Sequence, residues 1–280
     1  MQRFGPTRIV SLQPSATVTL DLLGELDRVV ACTKWCRDVC PALDPQLAIV
    51  ADSWSAEAEQ IIAAKPDLVI ASVPYRMESL AEILKAGVSL LALSPRSLGD
   101  IYKDIALIAG IVGVADRGEA LISAMQSEIE AVRRRTQSAP RPRVFCEEWG
   151  KPIIQSQLWV KELVEAAGGE FMGTPGEKRS GPGVSDGDAP EVFIAAWCGA
   201  GDRVPLERII QQRHWEEMPA AVQGRIYCVL DELLNTPAPT LLKGLHALAW
   251  AIHPELFPQA DGVRRISETR GVAREHLQRR

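Results

Sequence analysis

This sequence predicts an α/β fold of two Rossmann-like lobes, each a parallel sheet carrying helices, joined by one long α-helix. Three observations lead there. Short β-like runs alternate with helical stretches in two successive blocks, a pattern that implies parallel sheets with helices on both faces. One run, DLVIAS at Asp67–Ser72, is apolar throughout rather than alternating, as a strand buried on both sides requires. Between the blocks, Asp116–Gln137 has no proline and carries Leu121, Ile122, Met125, Ile129 and Val132 on one helical face.

In the first block, Arg8–Leu12 reads as a strand, followed by Pro14-Ser15 and a helix through Leu23 with Ser15 as its expected N-cap. Val29–Thr33 is a second strand. Ala56–Ala64 is helical and stops at Lys65-Pro66, and the Asp67 strand follows. Met77–Lys85 is a helix closed by Gly87, Val88–Leu93 a strand, and Leu98–Val112 a helix. The long helix ends in Arg133–Arg135, which complements its dipole, and Ser138-Ala-Pro-Arg-Pro142 breaks the chain. The second block begins with a strand at Arg143–Cys146 and a helix at Val160–Ala167. A Gly- and Pro-rich loop covers Phe171–Asp188. Strands at Val192–Trp197 and Arg225–Leu230 and helices at Leu206–Gln212 and Thr240–Ile252 complete it. The implied division is 1–115, a connecting helix 116–138, a second lobe 139–262, and a polar tail or short closing helix 263–280.

Composition narrows the function. With 280 residues, 46% hydrophobic and 24% charged, the chain is an ordinary globular protein. A net charge of −5 argues against general nucleic-acid binding, which needs clustered Lys and Arg. No apolar run approaches the roughly 18 residues of a membrane span. The run Ile9-Val10-Ser11-Leu12 is shorter than a secretory h-region of roughly 7–15 residues. The sequence therefore reads either as cytoplasmic or as a chain whose leader was removed. Of the six cysteines, Cys36 and Cys40 form a CxxxC pair with no second pair at zinc spacing, so free thiols are expected.

Aromatics are 5% of the chain, yet seven of them are Trp. Several fall just after strands, where ligand residues of open α/β sheets belong. Trp35 follows the Val29 strand, Tyr75 the Asp67 strand and Trp149 the Arg143 strand. Trp197 ends the Val192 strand, and Trp54 precedes a helix at the same end of the first lobe. Such side chains offer broad rigid apolar area, suited to a large flat ligand in a cleft between lobes. Trp159, Trp215 and Trp250 lie in or beside helices and read as structural. No GxSxG, HExxH, P-loop or GxGxxG motif occurs, and the four histidines form no ligand set, so neither catalysis nor a metal is indicated.

These segments resemble the helical-backbone class of ABC-importer substrate-binding proteins, in its cobalamin- and ferric-siderophore-binding group. The resemblance rests on RIVSLQPSATVTL at 8–20, EQIIAAKPDLV at 59–69, RVFCEEWGKPI at 143–153 and WVKELVEAAGGE at 159–170. VFIAAWCGAG at 192–201, WEEMPAAVQGRIYCV at 215–229 and GLHALAWAIHPELF at 244–257 continue it. The EEW, WVKELVEAAGG and HPELF segments are similar to a subgroup labelled cobalamin-binding. The resemblance implies a monomeric, non-catalytic binder of a corrinoid, delivering it to an ABC permease dimer from the periplasm. It implies ligand contacts at Trp35, Trp54, Tyr75, Trp149 and Trp197, and permease docking through Glu59 and Glu217. Two departures stand out: the 181–193 loop is shorter than the family pattern, and Thr240 occupies a position where the subgroup often has Arg. A ferric siderophore or haem is the alternative ligand, with Arg37, Arg76, Arg96 and Tyr75 as candidate contacts. A cytoplasmic corrinoid carrier or enzyme reusing the fold is the other alternative.

Overall fold

The computed structural model describes residues 5–55, 57–179 and 189–266. The chain divides into two compact units. The first runs to Ile129 and takes in Thr236–Leu242; the second holds Glu130–Asn235 and the chain from Lys243.

The first unit is built on five parallel strands: β1 (Ile9–Ser11), β2 (Val29–Cys32), β3 (Ala48–Ile49), β4 (Leu68–Ser72) and β5 (Leu90–Leu93). Their order is β3-β2-β1-β4-β5. Chain direction across the sheet therefore reverses between β1 and β4, the kind of switch point where a crevice opens beyond the strand ends. Alternate residues face opposite layers. Ile9 and Ile70 pack with Leu20, Leu23 and Ile108 on one side. Val10, Val69 and Ala71 pack with Ile61, Leu80 and Ile83 on the other. Because both faces are covered, the central strands are apolar on both sides up to the serines that end them, Ser11 and Ser72.

The helix Pro14–Leu22 starts one residue earlier than its expected cap. Gln13 is the N-cap and Pro14 occupies the first helical position, where a missing N–H costs nothing. Ser15 is instead buried inside the first turn. A short helix at Lys34–Val39, capped by Thr33, follows β2 directly. The sequence does not announce it, since six residues hold less than two helical turns. All six cysteines are free, Cys36 and Cys40 included, and both of these are buried.

The long helix is Ala115–Thr136, and Met125, Ile129 and Val132 are buried along it. The second unit is built on β6 (Arg143–Gly150), β7 (Ile153–Gln155), β8 (Glu170–Phe171), β9 (Lys178–Arg179), β10 (Val192–Ala195), β11 (Ile226–Val229) and β12 (Val263–Arg265). Here the sheet is mixed. β6, β10 and β11 run parallel, and β8 joins β6 in parallel. β7 doubles back on β6, β9 pairs antiparallel with β7, and β12 pairs antiparallel with β11. The strand β12 stands where the sequence suggests a tail or short helix; the rest of that tail, from 267, lies outside the described residues. The stretch Phe171–Asp188, read as loop, supplies β9 and the end of β8, while 180–188 lies outside the described residues. Phe145 and Phe193 stack 6.2 Å apart, and Trp215 meets both edge-on. That aromatic layer anchors the helix Leu206–Arg213 against the sheet.

Candidate functional site

In the first unit the predicted aromatics gather at the carboxyl ends of β1, β2 and β4. Trp35 and Trp54 are 41% and 55% exposed, high values for so large an apolar side chain. One carboxylate organises the turn that carries Trp54. Asp52 Oδ1 accepts from the Trp54 and Ser55 backbone N–H groups at 3.1 and 3.0 Å and from Ser55 Oγ at 2.8 Å. Burial alone would raise the Asp52 pKa, but these hydrogen bonds from Ser55 and Trp54 outweigh it and hold the carboxyl below its ordinary value. The turn is anchored on both sides. Ser53 Oγ donates to Leu12 O at 3.5 Å, Arg76 N to Ser53 O at 3.2 Å, and Ser79 Oγ to Trp54 O at 3.4 Å. Tyr75, on the loop after β4, is half-buried against the cluster that includes Val10 and Leu80.

The candidate cations of this unit differ in availability. Arg37 spends one nitrogen on Leu47 O at 2.8 Å. Arg76 and Arg96 are exposed. Glu59 lies exposed in the first turn of the helix Ala58–Ala63.

In the second unit β6 overshoots its parallel neighbour and carries Trp149 to its end, where the indole N–H bonds Lys151 O at 3.0 Å. Trp149 is 43% exposed. Trp197, half-buried, lies on the backbone of Gly150, where a Cβ would fall 2.0 Å from the indole ring. Its N–H donates to Glu147 Oε2 at 3.3 Å. Glu147 is fully buried and pairs in bidentate fashion with Arg213, which also donates to Gly150 O and sits 4.8 Å over the Trp215 ring. Burial raises the Glu147 pKa, and Arg213 and the Trp197 indole pull against it. Glu148, next along β6, is pushed up to about 7 by burial, against a hydrogen bond from Gln157. Trp149 and Trp197 line a cleft of about 440 Å³ with the outer face of the helix Leu206–Arg213. Glu217 is exposed in the turn that precedes Pro219.

Trp159 and Trp215 are buried, and Trp250 packs edge-on to Tyr227, as their helical settings imply. His214 is the left-handed C-cap of its helix. Sequence reasoning missed Asp52 and the Glu147–Arg213 pair. Asp52 left a local signal, since Asp-Ser-Trp-Ser is an Asx-turn sequence. The ion pair left none, as its members stand 66 residues apart. Among the described residues no group of three metal-ligating side chains comes together, and no helix is long and apolar enough to cross a membrane.

Residues 9–232 match the periplasmic binding protein family. The chain belongs to that family. It is 24% identical over 268 residues to an uncharacterized ABC transporter substrate-binding lipoprotein of Bacillus subtilis, covering 91% of this chain and 82% of the relative. It is 23% identical over 258 residues to a cobalamin-binding protein of Halobacterium salinarum, covering 89% and 70%. Among solved structures it resembles the periplasmic heme-binding protein RhuT of Roseiflexus, with a TM-score of 0.78, 26% identity, and 89% and 99% coverage. The two-lobed α/β class read from the sequence is thus the fold of the family.

Proposed function

We propose that this periplasmic binding protein captures a corrinoid without transforming it, and presents it to an ABC permease. The observation that carries the reading is the state of Trp35, Trp54 and Trp149. Each is more than 40% exposed, with the Trp149 indole held by Lys151 O and the Trp54 backbone by Asp52. Rigid, exposed aromatic faces at strand ends suit a broad flat ring system and lose little rotamer freedom on binding. Tyr75 and Trp197 add to the contact area of their units. The cobalamin-binding relative, similar over most of this chain, supports the choice of ring. Glu59 and Glu217 are the docking carboxylates in this reading, facing arginines on the permease.

Haem is the second reading, favoured by the 26% identity to the heme-binding RhuT. Calorimetric titration with cyanocobalamin, haemin and a ferric hydroxamate separates the two. Saturable micromolar binding of cyanocobalamin, weakened about tenfold or more by Trp35→Ala together with Trp54→Ala, supports the corrinoid site. Binding of haemin alone moves the protein to the second reading.

A further inference from the structure

The Trp149–Trp197 cleft has a charge pattern that the aromatic reading does not use. It is lined by three cations, Lys151, Arg208 and Arg213, and by no acidic side chain. Arg213 is committed, with its guanidinium bonded to Glu147 and Gly150 O and stacked on Trp215. Lys151 and Arg208 are exposed, and neither has a carboxylate partner among the described residues. The two tryptophans that line the cleft with them present apolar surface beside the charges, which strengthens a charge-assisted hydrogen bond made against it. Arg208 presents a planar fork that matches a carboxylate or phosphate, and Lys151 a compact point charge. Glu147 neutralises Arg213, and no carboxylate among the described residues bonds to Lys151 or Arg208.

We propose that this cleft is an anion-recognising subsite, in which Arg208 and Lys151 select flat macrocycles bearing a carboxylate or phosphate group. The inference rests on the reading of the protein as a macrocycle binder and names what that binder discriminates. Cyanocobalamin carries one phosphodiester, haemin two carboxylates, and dicyanocobinamide neither. These three ligands, titrated calorimetrically into wild type and into Arg208→Gln/Lys151→Gln at low and high salt, form the test. The subsite requires the double variant to lose about tenfold or more in affinity for cyanocobalamin, haemin or both, with dicyanocobinamide unchanged and the salt dependence flattened. A loss confined to haemin identifies the carboxylate as the recognised anion, and one confined to cyanocobalamin the phosphate. Equal affinities in wild type and variant for a macrocycle that does bind overturn the subsite and leave the macrocycle reading standing. No binding of any of the three to wild type overturns both.

Discussion

The two units hold exposed tryptophans at their strand ends by different means. In the first, Asp52 gathers Trp54 and Ser55 into a turn near the surface, and these partners lie within three residues of it. In the second, the support is buried. Glu147 sits at zero exposure beneath Trp197 and is met by an arginine from a distant helix. The contrast follows from the sheets. The first is purely parallel with short central strands, so its ligand residues ride on loops and must be organised locally. The second extends β6 past its neighbours and folds β7 back on it, so Trp149 and Gly150 belong to a ladder and Trp197 lies against it. A loop site tolerates small losses; a site with a buried ion pair as its floor does not.

The largest test of that difference is removal of one member of the buried pair. Arg213→Met leaves Glu147 without its counter-ion, and urea unfolding should show a loss of about 3–5 kcal/mol. Adding Glu147→Leu should recover most of it, because two apolar side chains replace two paired charges. A double variant as unstable as the single would show that the pair is not what supports the floor.

Glu148 offers a smaller effect with a defined sign. Its folded pKa of about 7 lies above the unfolded value near 4.3, so the folded state holds the proton more tightly. Stability from this group is therefore greatest below the unfolded value, declines as pH rises towards 7, and then levels off. Glu148→Gln should remove that decline, a difference of about 1–2 kcal/mol once solvent screening is allowed for. Melting temperatures across that range, wild type against variant, would expose an absent slope.

The smallest expected change is at Asp52. Asp52→Ala removes acceptors for exposed donors that water satisfies, so it should cost about 1 kcal/mol. Its pKa is lowered, so the contribution is complete above the ordinary Asp value of about 3.9 and fades as pH falls through the folded one. At neutral pH the variant should therefore show the full loss, together with altered fluorescence from Trp54. A loss as large as that of Arg213→Met would erase the distinction drawn between the two units.

Much of the fold was legible because its signals are local. Asp67–Ser72 had to be a buried strand, since an unbroken apolar run of that length suits a strand covered on both faces, and Leu68–Ser72 is one. The spacing of Met125, Ile129 and Val132 marked the long helix in the same way. Ser15 misled because the cap preference is weaker than the advantage of proline in the first helical position. The strands β7, β9 and β12 went unread because two or three residues carry too little periodicity to identify a strand. Their pairing depends on an edge that exists only after the central strands assemble.

The site divides along the same line. Sequence alone determined that tryptophans would stand at strand ends, because strand and turn residues are set by patterns with periods of two and 3.6. Only the tertiary structure decided what holds each one and which charges face it. Glu147 meets Arg213 across 66 residues, and Lys151 and Arg208 reach one cleft from a strand end and a helix face. Such pairings follow from strand order and from the direction each side chain takes, neither of which is encoded in the neighbours of a residue.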